Sequence, residues 1–280
     1  MHSERAYAKL NLVLHVGAPG AGAGGLHPLC SLFASIDLAD DVRGRPADAG
    51  GAEDSVDCPG VTGPNLALAA LEAFRRHVGA ELPPLDLTIE KRIPVAAGLG
   101  GGSADAAAAL RIANAVAGQP LGPGELRTLA ASLGSDVPSQ VEPRHALVEG
   151  TGERVEPVGL PPLVAVLVPS DTGLSTAAVY AEHDRLGGGR ARLDPEPLRR
   201  LASAGAAELA AGVENDLEPA ALSLRPELAS TLAHLRDSGA LAAAVSGSGP
   251  TCFGLYEDRT AADRAAAALP GAIVSALRGP

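Results

Sequence analysis

The chain has 280 residues, of which 46% are hydrophobic, 20% charged and 2% aromatic, and its net charge is −11. That length holds a full core and sits where one core divides into two domains, and the composition excludes a disordered chain. An acidic balance with no basic patch argues against a nucleic-acid surface. Cys30, Cys58 and Cys252 form an odd set without Cys-x-x-Cys spacing, which indicates neither a disulfide framework nor a zinc site and points to a reducing, cytoplasmic compartment. The N-terminus lacks the basic-then-apolar pattern of an export signal, and no run of ~18 apolar residues suggests a membrane span. With so few aromatics, the core must be built from Leu, Val, Ile and Ala.

In chain order, Ala6 to Val16 reads as a strand with Lys9, Asn11 and His15 among its apolar residues, followed by a Gly-Ala loop from Gly17 to Gly25. Leu29 to Leu38 is strand-like, and Arg43 to Pro59 suggests turns between short strands. Asn65 to His77 carries Leu66, Ala69, Leu71 and Phe74 at helical spacing behind Pro64. Leu85 to Ile93 alternates apolar and polar residues as a half-buried strand does. Ser103 can cap a helix running to about Val116 and stopping at Gly118, and a further helix over Gly124 to Leu133 leads to Gly134-Ser135-Asp136-Val137-Pro138. There Pro138 disfavours helical geometry at Val137 and defines a turn.

Pro157, Pro161 and Pro162 mark the best domain boundary, dividing 1–156 from 157–280. Beyond it, Leu163 to Val168 is an apolar strand of buried type. Helices are expected over Ser175–Leu186, Glu196–Ser203, Ala206–Gly212, Pro226–Ser238 and Thr260–Leu269. Strands are expected over Ala240–Val245, Thr251–Tyr256 and Ala272–Leu277. The acidic stretch Glu214 to Glu218, with Asn215 and Asp216, reads as a solvated surface.

The densest motif is Pro94-Val95-Ala96-Ala97-Gly98-Leu99-Gly100-Gly101-Gly102-Ser103-Ala104, a glycine loop opening a helix. Glycines take positive φ and let successive N–H groups approach an anion, and a helix N-terminus adds unpaired N–H groups and the positive end of its dipole. A Walker A loop is excluded, because Gly102 is followed by Ser103-Ala104 with no lysine. A dinucleotide fingerprint fails on the third glycine and on the absence of a parallel βαβ setting. A tight turn whose glycines serve only packing is the remaining bland reading. One compositional fact bears on the chemistry: of 22 basic residues only Lys9 and Lys91 are lysines. Where arginine is so favoured, a retained lysine fits a site that needs a compact ammonium.

Tyr7-Ala8-Lys9-Leu10-Asn11-Leu12, the segment from Pro94 to Ala107, and Val245-Ser246-Gly247-Ser248-Gly249-Pro250-Thr251 together resemble the three signature segments of the GHMP kinase superfamily, in the expected order. Lys91-Arg92-Ile93-Pro94 and Leu133-Gly134-Ser135-Asp136-Val137-Pro138 resemble the branch that phosphorylates a cytidine diphosphate conjugate of methylerythritol in the non-mevalonate isoprenoid pathway. The resemblance implies an α+β, two-domain architecture, with an N-terminal domain like ribosomal protein S5 domain 2 and a ferredoxin-like C-terminal domain. It implies a monomeric or homodimeric small-molecule kinase using ATP and Mg²⁺, in which residues 94–104 wrap the phosphates, with Asn65 and Lys91 near the adenosine end.

Under the same resemblance Asp136 is the base or orienting carboxylate, Lys9 its cationic partner, and Asn11, His27 and Tyr180 serve the acceptor, the last two on its cytosine. The chemistry agrees. A hydroxyl attacking phosphorus must shed a proton, which a carboxylate accepts, and an ammonium offsets charge on the transferring oxygens. Asp136 beside Gly and Pro also has a plain reading as a turn or helix-terminus residue, and Ser103 has two: a cap, or a hydroxyl toward Mg²⁺. No dedicated metal site is legible. Leu26 stands where the family pattern has a tyrosine, so other alcohols, of homoserine or mevalonate type, and a catalytically silent nucleotide binder stay open as alternatives.

Overall fold

A computed structural model of the chain describes residues 1–47, 53–79, 82–170 and 172–279. The elements are β1 (His2–Val16), β2 (Leu29–Pro46), β3 (Ser55–Asp57), α1 (Leu66–Val78), β4 (Leu85–Glu90), α2 (Gly101–Val116), α3 (Pro123–Ala131) and α4 (Val137–Gln140). They continue with β5 (Ala146–Gly150), β6 (Arg154–Pro157), β7 (Val164–Val168), α5 (Thr176–Arg185), α6 (Glu196–Ala202), α7 (Ala206–Ala211) and β8 (Glu214–Asn215). The last are α8 (Glu218–Leu224), α9 (Leu228–Asp237), β9 (Ala242–Val245), β10 (Cys252–Tyr256), α10 (Arg259–Ala267) and β11 (Ile273–Ala276). These form two compact units, one of residues 1–8, 38–95 and 100–143, the other of residues 9–37, 96–99 and 144–280.

In the first unit β4 pairs antiparallel with the second half of β2, from Asp41 opposite Glu90 to Pro46 opposite Leu85, and β3 runs parallel to β4. That pairing carries β2 past Leu38, where sequence periodicity fades, because Val42 and Gly44 still face the core while Arg43 and Arg45 face water. Of the turn-rich stretch Arg43 to Pro59, residues 48–52 lie outside the described residues. Helix α1 begins at the Asn65 N-cap, whose Oδ1 accepts from the Ala67 N–H at 2.9 Å. Helix α2 packs along α1 through alanines 104 and 106–109, which are all buried. Small side chains on α2 bring the helix axes close and leave space for Leu71, Phe74, Leu87 and Ile89 to fill the core.

Two local expectations are corrected in this unit. Ser103 does not cap α2: the N-cap is Gly100, at φ 71°, and Ser103 lies inside the first turn. Glycine can take the left-handed cap conformation that starts the helix three residues early. Val137 and Pro138 form the first turn of α4 rather than a non-helical turn. Proline is tolerated there because its missing N–H has no helical partner to lose.

In the second unit the strand order is β8-β1-β2-β5-β6, with β1 parallel to β8 and β5 antiparallel to both β2 and β6. The hairpin of β5 and β6 was not expected from sequence. A separate four-stranded sheet has the order β11-β7-β10-β9, with every neighbouring pair antiparallel. Taken as β7, β9, β10 and β11 with helices in the first and last connections, this is the βαββαβ arrangement of a ferredoxin-like sheet. Its core combines Val166, Leu232, Leu235, Val245 and Tyr256. No helix among the described residues is long and apolar enough to cross a membrane.

Phe74 is fully buried between the helices and sheet of the first unit. Phe74→Ala is expected to lower the unfolding free energy by about 3–5 kcal/mol, seen as a fall in the urea midpoint. A change below about 1 kcal/mol would show that this core refills the space.

Candidate active site

The chain leaves β4 and turns through positive φ at Ala96 (54°), Gly98 (76°) and Gly100 (71°) before entering α2. Ala96 is the costly member, since an alanine in the left-handed region is strained by about 1 kcal/mol. Ala97, Leu99 and Ala104 are buried and anchor the loop, whereas Val95 is 60% exposed and Ala96 and Gly102 face solvent. The first bond into α2 runs from the Ala104 N–H to the Gly100 carbonyl at 2.9 Å. By helix geometry the N–H groups of Gly101, Gly102 and Ser103 then have no partner one turn back, and no cap side chain covers them. The result is an anion cradle of backbone donors at the positive end of a 16-residue helix.

Within the second unit the signature segments meet. The Lys9 N–H donates to the Leu99 carbonyl at 3.0 Å, and Ser246 Oγ donates to the Gly98 carbonyl at 3.1 Å. A Cβ on Gly98 would lie 2.5 Å from the Ser246 carbonyl oxygen and 2.7 Å from that of Gly249, so a side chain there cannot fit. The turn from Ser246 to Pro250 is itself held by Asn215, whose Nδ2 donates to the carbonyls of Val245 (2.8 Å) and Gly247 (2.7 Å). The acidic stretch Glu214 to Glu218 is therefore not a solvated surface. Asn215 is buried, Asp216 accepts from the Val16 N–H at 2.9 Å, and Glu218 accepts from the Val245 N–H at 2.9 Å.

Lys9 is 5% exposed, and its Nζ donates to Asn11 Oδ1 at 2.6 Å and lies 4.8 Å from the centre of the Phe33 ring. Asn11 Nδ2 donates in turn to Ser31 Oγ at 3.0 Å, and Ser31 Oγ donates to the Val13 carbonyl at 2.5 Å. This chain of bonds sets the side-chain amide of Asn11 with its oxygen toward the ammonium. Gly247 closes on the same place: a Cβ there would sit 3.1 Å from Asn11 Oδ1 and 3.6 Å from Lys9 Nζ.

Asp136 belongs to the first unit and occupies the N-cap position of α4, yet its side chain makes no capping bond. Its backbone carbonyl accepts from Ser139 Oγ at 2.8 Å. Its carboxylate is half-buried. Lys91, in the same unit, is held between two carboxylates, Asp40 Oδ2 at 2.5 Å and Asp105 Oδ2 at 2.7 Å. Burial pushes the Asp105 carboxyl up to about 7 against the pull of Lys91. Burial works against the Lys91 charge too, but the two carboxylates outweigh it and raise its pKa.

At the other end of the second unit, His27 Nδ1 donates to the Gly17 carbonyl at 2.9 Å, and its ring lies 5.0 Å from that of Tyr180 at 44°. Its Nε2 lies 3.4 Å from Asp184 Oδ2, and the His183 ring is 6.3 Å away, edge-on. Tyr180, His183 and Asp184 are spaced i, i+3, i+4 and so present one face of α5 to His27. The helical spacing could have brought Asp184 forward alongside Tyr180, but only the fold shows which face meets His27. Leu26 is 55% exposed.

The chain matches the family model of the GHMP kinase N-terminal domain over residues 65–142 and that of the GHMP kinase C-terminal domain over 191–274. Both halves of a GHMP kinase are present. The sequence is 43% identical to 4-diphosphocytidyl-2-C-methyl-D-erythritol kinase of Streptomyces avermitilis over 95% of this chain and 91% of that protein. It is 44% identical to the same enzyme of Nocardia farcinica, over 97% and 90%. A solved structure of 4-(cytidine 5'-diphospho)-2C-methyl-D-erythritol kinase superposes with a TM-score of 0.80 at 33% identity, covering 100% of both chains. The chain therefore belongs to the GHMP kinases, in the group of the 4-diphosphocytidyl-2-C-methyl-D-erythritol kinases, and is an ATP-dependent small-molecule kinase.

Gly98→Ala adds a methyl group against two carbonyl oxygens and strains a positive φ. It is expected to raise KM for ATP by about tenfold or more. Steady-state kinetics at varied ATP checks this, and an unchanged KM would show that the loop adjusts without loss.

Proposed function

We propose that this protein transfers the γ-phosphate of ATP to the 2-hydroxyl of 4-diphosphocytidyl-2-C-methyl-D-erythritol, a step of the non-mevalonate isoprenoid pathway. The observation that carries the reading is the meeting of Lys9, the backbone at 96–99 and the turn at 246–250, which puts a buried ammonium beside the root of an anion cradle. Names of relatives more than 40% identical over most of the chain support the acceptor. The two family models fall on either side of residue 157, which supports an N-terminal nucleotide module over 1–156 and a C-terminal module over 157–280.

Residues 94–104 bind the phosphates through backbone N–H groups, with the free donors of Gly101, Gly102 and Ser103 as the strongest part. Asn65 and Lys91 serve the nucleoside end through the elements they fix. Asp136 accepts the proton of the acceptor hydroxyl as its oxygen bonds to the γ-phosphorus and the bond to the β–γ bridging oxygen breaks, leaving ADP. Lys9 offsets the charge on the transferring oxygens, and Asn11 keeps it aimed. Mg²⁺ would come as part of the nucleotide substrate and would neutralise phosphate charge, held mostly by phosphate oxygens and waters. No cluster of three or more His, Cys, Asp or Glu that could hold a metal occurs among the described residues. His27 hydrogen-bonds the cytosine edge, and Tyr180 stacks on its face.

ADP release measured with a panel of alcohols tests the acceptor. Turnover is expected with the cytidine diphosphate conjugate, and turnover only with homoserine or a mevalonate-type acid would overturn the reading. Asp136→Asn should lower kcat by ~10²-fold or more with nearly unchanged KM for ATP, and full activity would remove Asp136 from the chemistry. Lys9→Arg should also be impaired although it keeps the charge, because a planar fork does not replace a point charge 2.6 Å from Asn11 Oδ1. A fully active Arg variant would show that charge alone suffices.

A further inference from the structure

The buried cluster of Lys91, Asp40 and Asp105 touches both stems of the glycine loop. Lys91 follows directly on β4, three residues before Pro94, and Asp105 follows directly on Ala104, where the loop has become helix. Asp40, fully buried in β2, takes the Lys91 ammonium on Oδ2 at 2.5 Å. Its Oδ1 takes the backbone N–H groups of Arg92 (2.6 Å) and Ile93 (2.8 Å), so the incoming stem is tied by main chain as well as side chain. The outgoing stem has one tie: Lys91 Nζ donates to Asp105 Oδ2 at 2.7 Å, while Asp105 Oδ1 is buried with no hydrogen-bond partner among the described residues.

The two stems also approach at Gly101, where a Cβ would lie 3.0 Å from Ile93 Cγ2 and 3.3 Å from Lys91 Nζ. Buried charges persist only when paired, so the Lys91 ammonium and its two acid partners hold each other in place. A single nitrogen bridges oxygens from two elements, which an ammonium does and a guanidinium, with its donors spread over a plane, does not.

We propose that Lys91 is a positioning residue for nucleotide binding: its ammonium clasps the two stems of the glycine loop and fixes where the first N–H groups of α2 point. This rests on the reading of residues 94–104 as the phosphate loop. In that role Lys91 acts through the loop, two of its three N–H donors being committed to Asp40 and Asp105.

Hydrogen exchange and steady-state kinetics on the full-length protein separate the two readings. In the wild type, ATP without acceptor should slow amide exchange across 94–104, and an absence of that protection would overturn the phosphate-loop reading and the clasp with it. Asp105→Asn keeps the Lys91–Asp40 pair and the side-chain shape, so it is the variant that should fold. It is expected to raise KM for ATP about tenfold with kcat at saturating ATP within about threefold, and to speed exchange of the loop amides without nucleotide. Lys91→Arg, which keeps the charge but not the geometry, should shift both readouts in the same direction. Wild-type loop protection together with unchanged KM and unchanged loop exchange in both variants would overturn the clasp alone.

Discussion

A cradle made of backbone N–H groups is seated by few side chains of its own, here the buried Ala97, Leu99 and Ala104, so the rest of what fixes its shape must come from outside the loop. In this chain the constraint is met at Gly98, whose backbone passes so close to the carbonyls of Ser246 and Gly249 that no Cβ fits. Ser246 Oγ and the Lys9 N–H complete the hold on the loop backbone. That close approach requires the distant turn to be rigid in its turn. Asn215 supplies the rigidity by bonding the carbonyls on either side of Ser246, and its Oδ1 caps the chain's entry to α8 at Leu217 N, 2.9 Å away. Segments far apart in sequence thus depend on one contact between two stretches of main chain.

The lysine count takes on physical meaning in this setting. Both lysines are buried or nearly so, and each ammonium is aimed by oxygens on more than one residue or by an oxygen and an aromatic face. The arginines of the same molecule do different work. Arg75 grips Asp54 with two nitrogens at 2.6 Å, and Arg190 grips Asp216 at 2.7 and 2.8 Å, the forked geometry that a guanidinium is built for. A composition that replaces lysine with arginine wherever a fork will serve leaves lysine where a single nitrogen must meet its partners.

What was legible in the sequence follows from the range of the interactions involved. The glycine loop, the helix over 66–78 and the apolar strand at 164–168 are written in local chemistry: φ freedom, 3.6-residue periodicity and unbroken hydrophobicity. Nothing in the local sequence marks Asp40 and Asp105, because what distinguishes them is a shared lysine 51 and 14 residues away. Asn215 looked like part of a solvated acidic run for the same reason, its partners being 30 and 32 residues distant. Ser103 illustrates the reverse error, in which a good local signal for a cap lost to a glycine that could adopt the left-handed start three residues earlier.

The acceptor end shows how a departure from the family pattern can be absorbed by the fold. Leu26 carries no ring and stands out in solvent, so it adds no stacking surface, and under the proposed function recognition of a base falls to His27 and the α5 face it meets. The His27 ring is oriented by the protein itself: Nδ1 must be the donor, since its partner is the Gly17 carbonyl, which leaves Nε2 and its neighbour Asp184 as the polar edge. Tyr180, one helical turn before Asp184, provides the aromatic face next to that edge. A base bound there would be read by one ring and one polar edge set by a single helix and a single carbonyl. Orientation in such a site comes from the rigidity of α5 and of the chain at Gly17 rather than from enclosure by two aromatic rings.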